Sequence, residues 1–173
     1  MDGTNAYAIG LSNSTAASTG QHDVGVEITR NGLNQLPGNA DVRCYLSYAL
    51  MHVGQYEEAI ENFQAALTLN PHAPNWYLGG YSRALMCLGR FEESLKITDQ
   101  ILADEPDFFQ AWIHRIYIYQ KLGKEHETQA SMTEAMRLAP QFRLCHIPGF
   151  FLHRDPAFLQ TLTETLRRAC LPE

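Results

Sequence analysis

The chain has 173 residues, of which 45% are hydrophobic and 18% charged, with a formal net charge of −6. That length suits one structural unit, and the apolar share is enough for a continuous core. The acidic balance, with Arg167–Arg168 as the densest basic pair, excludes the basic stripe that phosphate backbones require, so no nucleic-acid partner is expected.

Along the chain, Met1 to Asn5 read as a frayed end. A first helix, AYAIGLSNSTAAST, is rich in small polar residues, and a second, from about Asp23 to Leu36, turns Val24, Ile28 and Leu33 inward. Gly25 and Gly32 lie inside that second helix, where a glycine costs about 1 kcal/mol relative to alanine. This hairpin is therefore expected to be the least stable, either as a frayed terminal repeat or as an internal repeat of a longer parent.

The next stretch, from Asp41 to Pro71, has apolar residues at Tyr45, Leu46, Ala49, Leu50 and Val53, then Gly54, then Tyr56, Ala59, Ile60, Phe63, Ala66, Leu67 and Leu69. Both runs have helical spacing, and Pro71 ends the second. Turn glycines recur at Gly20, Gly54, Gly89 and Gly123, and closing prolines at Pro37, Pro71, Pro106 and Pro140. Each set is spaced by 34, 35 and 34 residues, and the shared extra residue lies in the loop around His72–Asn75. A helix–turn–helix period of 34 with a terminal proline resembles the tetratricopeptide (TPR) family over roughly Ala6 to Pro140. The resemblance implies an all-α solenoid, a right-handed superhelix of four hairpins at about 6–39, 40–73, 75–108 and 109–142.

The third hairpin has an apolar stripe of Trp76, Leu78, Tyr81, Leu85 and Leu88, with Gly79–Gly80 as a close-packing point or the floor of a hollow. In the fourth, Trp112, Tyr119 and Ala135 keep the repeat pattern while Thr128 and Met132 depart from it. After Pro140 the repeat fails, and Pro148–Gly149 is expected to stop any helix. Asp155–Pro156 then reads as an N-cap followed by proline at the first helical position. A helix from Pro156 to about Ala169, with Phe158, Leu159, Leu162, Leu166 and Ala169 on one face, should cap the open end of the stack, so that 143–173 form a linker and a C-terminal capping helix.

The phrases NPHAPNWY, PDFFQA, LAPQF, RDPAFL and LRRACLPE resemble the TPR region that ends bacterial class III adenylate/guanylate cyclase-like proteins. That group finishes in a DPA-helix and a Leu-Arg-x-Ala-Gly-Leu-Pro-like tail. Leu166, Arg167, Ala169, Leu171 and Pro172 match it, with Cys170 in place of the glycine. The resemblance covers about Asn70 to Glu173 and implies a regulatory or scaffolding module. No cyclase domain is present, so no cyclase activity is assigned.

No dinucleotide, P-loop, zincin or nucleophile-elbow motif occurs, so the chain reads as a non-enzyme with no cofactor. Cys44, Cys87, Cys145 and Cys170 show no CxxC pairing and read as reduced, small, buried residues. A metal site joining Cys145, His146, His153 and Cys170 would need adjacent ligands at irregular gaps, which argues against it. No run of about 18 apolar residues is available to span a membrane, and the N-terminus lacks a signal-peptide layout, so no membrane partner is expected and a cytoplasmic location is the default.

The first helices of stacked hairpins line a concave surface that can grip a protein or peptide. Periodicity places Tyr48, Met51, His52, Arg83, Met86, Cys87, Tyr117, Gln120 and Lys121 there, residues that either bind a ligand or pack on neighbouring helices. Co-chaperone TPR domains hold a C-terminal carboxylate with Lys, Asn and Arg. At the corresponding places this chain has Gly10, Ser14, Tyr45, Trp76 and Gly80, which cannot supply that charge. A free-standing TPR adaptor of unrelated pathway fits the same residues, and self-association through exposed solenoid ends is left open.

Overall fold

The computed structural model describes residues 2–173, with side chains from residue 5 onward. Among these residues it is all-helical. Four antiparallel hairpins follow one another: α1 (Asp2–Ser18) with α2 (His22–Gln35), α3 (Ala40–His52) with α4 (Tyr56–Leu69), α5 (Asn75–Cys87) with α6 (Phe91–Asp104), and α7 (Phe109–Lys121) with α8 (Glu125–Leu138). A 3₁₀ turn (Leu144–His146), the short α9 (Ile147–Phe151) and α10 (Pro156–Arg168) complete the chain. Asp2 to Asn5, read above as part of a frayed end, lie inside α1; Met1 lies outside the described residues.

The hairpin turns share one construction. Gly20, Gly54, Gly89 and Gly123 all have positive φ, between 68° and 82°. At each turn the glycine N–H donates to a carbonyl three residues back, and the following N–H reaches five residues back, as in Gly54 to Met51 and Gln55 to Leu50. These paired bonds satisfy carbonyls at the helix end that would otherwise lack partners, and the left-handed backbone they need favours glycine. The second helices end as uniformly. Leu36, Asn70, Glu105 and Ala139 each take φ near −130° and ψ between 62° and 87°, outside the helical region that a following proline disfavours.

Packing explains residues that propensity alone makes look weak. A methyl group built on Gly32 would lie 2.6 Å from Ile9 Cδ1, so the absent side chain is what lets α2 close on α1. Gly80 is tighter: a methyl there would meet Phe63 Cζ at 2.5 Å and Tyr48 Cζ at 2.7 Å. A methyl on Gly79 would likewise meet Phe108 Cε1 at 2.9 Å, so both glycines of Gly79–Gly80 are close-packing points. Val24, expected to face inward, is instead 44% exposed. Val26 packs toward the core of repeat two in addition to the inward Ile28 and Leu33.

The segment after Pro140 departs furthest from expectation. Pro148–Gly149 does not prevent a helix; it opens α9. Proline in a first turn has no N–H to waste and its φ is already helical. The helix ends at Leu152, which is left-handed at φ 50° and donates to Pro148 O. Asp155 then caps α10 by accepting from Ala157 N at 2.9 Å, as read from the sequence. Leu162, Leu166 and Ala169 are buried in one cluster with Ile113 and Ile116 of α7 and Met132 and Ala135 of α8. The terminus returns to where the segment began, since Leu144 N donates to Pro172 O at 2.8 Å.

Candidate binding groove

The inner face is formed by α1, α3, α5 and α7, and part of it is already occupied. Residues 147–155, here called the strap, run along these helices from repeat four back to repeat one. Phe151 lies against His114 of α7 and 5.7 Å from the Arg83 guanidinium of α5. His153 Nε2 and the Tyr56 hydroxyl are 2.6 Å apart. Arg154 N donates to His52 O at 2.9 Å, and its guanidinium meets Asp23 at the start of α2 at 2.8 Å. A segment read from the sequence as a linker thus touches all four hairpins.

This arrangement divides the residues that periodicity grouped. Tyr48, His52 and Arg83 line one pocket. Met51 and Met86 are buried in the hydrophobic clusters and offer no surface to a ligand. Cys87 is half-buried against the fourth-repeat cluster, and burial pushes its thiol up to about 12, which makes it a poor nucleophile. Tyr117 is buried against Phe91, with the Lys121 ammonium 6.0 Å from its ring. Gln120 opens onto a separate depression beside Glu125 and Arg168. A helical stripe cannot distinguish these fates, because some of the residues that cover it come from more than 60 positions away in sequence, as in Arg83 to Phe150.

The pocket has a volume of about 310 Å³. α1 contributes Gly10, Asn13 and Ser14; α3 contributes Tyr45, Tyr48 and His52; α5 contributes Trp76 and Arg83; Gln110, Phe150 and Leu152 complete the wall. Tyr45 stacks on Trp76 with centroids 5.4 Å apart, and Tyr48 donates to Trp76 O at 2.7 Å. Gly10, Ser14, Tyr45 and Trp76, the places where a carboxylate-holding set was sought and not found, are all on this wall. The charge comes instead from Arg83, which is 5% exposed. An arginine in the middle of an apolar helix, YSRALMC, was the signal for it in the sequence.

Arg83 sets the electrostatics of the groove. Burial and then its positive charge hold His52 and His114 down to about 3, so both are neutral. His153 is lowered chiefly by burial, and His22 by burial and then Arg154. His114 Nδ1 lies 3.2 Å from Ser82 Oγ, itself 2.9 Å from Ser94 Oγ, but no carboxylate completes this buried chain. Among the described residues no cluster of three or more His, Cys, Asp or Glu could hold a metal, and no helix is long and apolar enough to cross a membrane. Of the four cysteines expected to be buried, only Cys44 is fully so; Cys87 is half-buried, and Cys145 and Cys170, which lie after the repeats end, are exposed.

A family model described as "Tetratricopeptide repeat" matches residues 50–113. The human protein O-mannosyl-transferase TMTC1 is 24% identical over 124 residues, which are 72% of this chain and 14% of that protein. A thermophilic TPR protein of Thermus thermophilus superposes with a TM-score of 0.72 at 17% identity, covering 95% of this chain and 86% of that one. MamA from Desulfovibrio magneticus RS-1, residues 41 to the end, superposes with a TM-score of 0.66 at 15% identity, covering 96% and 93%. With the period and the repeated turn geometry, these likenesses show a tetratricopeptide-like helical solenoid.

Proposed function

We propose that this chain is a regulatory or scaffolding interaction module whose protein partner enters the inner groove in place of the strap. The observation that supports the reading is the strap itself, which lies where a groove ligand would lie and makes a ligand's contacts: an aromatic ring on Arg83, a main-chain bond to His52 O, and an ion pair to Asp23. The Arg154–Asp23 pair is half or more exposed on both sides, and exposed pairs of this kind contribute about 0–1 kcal/mol. The strap is therefore held weakly at its repeat-one end. The regulatory role is the one implied by the tail's resemblance to cyclase-like signalling proteins, carried by Leu166, Arg167, Ala169, Leu171 and Pro172.

A photo-crosslinking residue in place of Tyr48 tests the reading in extract of the native host. A groove-bound partner should give an adduct whose yield rises when Arg154→Ala loosens the strap and falls when excess peptide of sequence 147–158 is added. Adducts indifferent to both changes would place the partner elsewhere and sink the proposal.

A further inference from the structure

Arg83 is 5% exposed, yet its one hydrogen bond among the described residues is a long one, 3.5 Å to Phe150 O. No carboxylate of the described residues lies within 4 Å of it. The rings of Tyr48, at 5.3 Å, and Phe151, at 5.7 Å, lie against it. A guanidinium carries five donors in a planar fork, and burying one without a counter-ion is unfavourable. His52, on the same pocket wall, also has a buried Nδ1 without a partner. His52 and His114 are neutral and add no charge beside Arg83, whose own charge no carboxylate among the described residues pairs.

We propose that the pocket between α1, α3, α5 and the strap is a binding site for a small organic monocarboxylate with a planar apolar body, its carboxylate on Arg83 and its body against Tyr45, Tyr48 and Trp76. The planar fork of arginine matches a carboxylate bidentately. One cation among aromatic walls balances a monoanion, whereas a phosphate dianion would leave a charge uncompensated in the same apolar surroundings. A volume of about 310 Å³ falls at the small end of ligand pockets. With the strap in place, the lane that an extended peptide would take is filled, and the space left suits a free acid better than a peptide terminus. Because Phe150 and Leu152 form part of the wall, a bound acid would also hold the strap closed. The site does not depend on the groove binding a protein partner.

Calorimetric titration of the full chain with phenylacetate, with its neutral counterpart phenylacetamide, and with an N-acetylated tripeptide ending in phenylalanine tests the site. Phenylacetate should bind at least about tenfold more tightly than the amide and than the tripeptide. Arg83→Gln should weaken phenylacetate by at least about tenfold. Ser14→Phe, which fills the pocket mouth from an exposed position and leaves Arg83 in place, should do the same, and it decides the matter if Arg83→Gln does not fold. Equal binding of acid and amide, unchanged binding in both variants, or no binding of phenylacetate at about 10 mM would overturn the proposal. Tighter binding of the tripeptide would overturn it in favour of a peptide carboxylate.

Discussion

Cys170 closes α10 with the backbone that Gly123 uses to close α7: φ is 68° at both. The hydrogen bonds are the same as well. Cys170 N donates to Arg167 O and Leu171 N to Leu166 O, as Gly123 N does to Gln120 O and Lys124 N to Tyr119 O. The glycine turn that closes the first helix of each repeat thus recurs here without a glycine. A side chain in this conformation costs about 1–2 kcal/mol, partly offset by the roughly 0.5–1 kcal/mol of extra chain entropy that glycine loses on folding. Cys170 is exposed, so little packing is lost on replacement. Cys170→Gly should therefore stabilise the chain by about 0.5–1 kcal/mol, a rise of about 2–4 °C in Tm at the upper end for a chain of this size. Cys170→Val, β-branched at the same φ, should lower Tm, and thermal melts of both variants check the sign.

Gly80 and Gly149 should respond in opposite directions to the same substitution. Gly80→Ala forces a methyl into the Phe63 and Tyr48 rings and should cost about 1–3 kcal/mol. Gly149, in α9, has nothing within 4 Å of the added carbon, and Gly149→Ala should be neutral or stabilising by up to about 1 kcal/mol. Urea unfolding of the two variants measures the difference, and equal losses would contradict the packing of α5 on α3 and α4.

Phe63 is fully buried between hairpins, while Glu61, two residues earlier on α4, is exposed. Phe63→Ala should cost about 3–5 kcal/mol, and Glu61→Ala no more than about 0.5 kcal/mol. Matching shifts in melting temperature would contradict the register of the second hairpin.

Acid should destabilise the fold through His52 and His114. Both are held near 3 in the folded chain, chiefly by burial and then by Arg83, against about 6.5 when unfolded. Between those values the unfolded chain binds the extra protons, so stability rises with pH across the window. The contribution is full above about pH 6.5 and is lost progressively below it, with a limiting slope of about 1.4 kcal/mol per pH unit for each histidine. Urea melts at about pH 7.5 and about pH 5 should show the fall, and His114→Gln should reduce it; an unchanged difference in that variant would remove His114 from the account.

Removing residues 156–173 should expose the apolar side of α7 that α10 covers, and also delete the Pro172 carbonyl that holds Leu144 N. The shortened chain should self-associate on size exclusion and melt earlier, since contiguous apolar surface of this kind drives association. A monomer with an unchanged melt would identify α10 as a mobile arm instead of a cover.

The repeats were legible in the sequence because their signals are local. Gly54 and Pro71 act on their own backbone and their immediate neighbours, and four copies at one spacing leave little choice of fold. The Asp155–Pro156 start of α10 is local for the same reason. The site was legible only in part. Tyr48, His52 and Arg83 lie on the helical stripe that periodicity singles out, and they do line the pocket; Met51 and Met86 lie on the same stripe and are core. What separates them is which positions distant segments cover. Phe151 on Arg83, His153 on Tyr56 and Arg154 on Asp23 are contacts across 68, 97 and 131 residues, with no periodicity to announce them. Helix and turn follow from the energetics of neighbouring residues, whereas the course of the strap, and with it the burial of Arg83 and the shape of the pocket, is decided only when the whole stack is assembled.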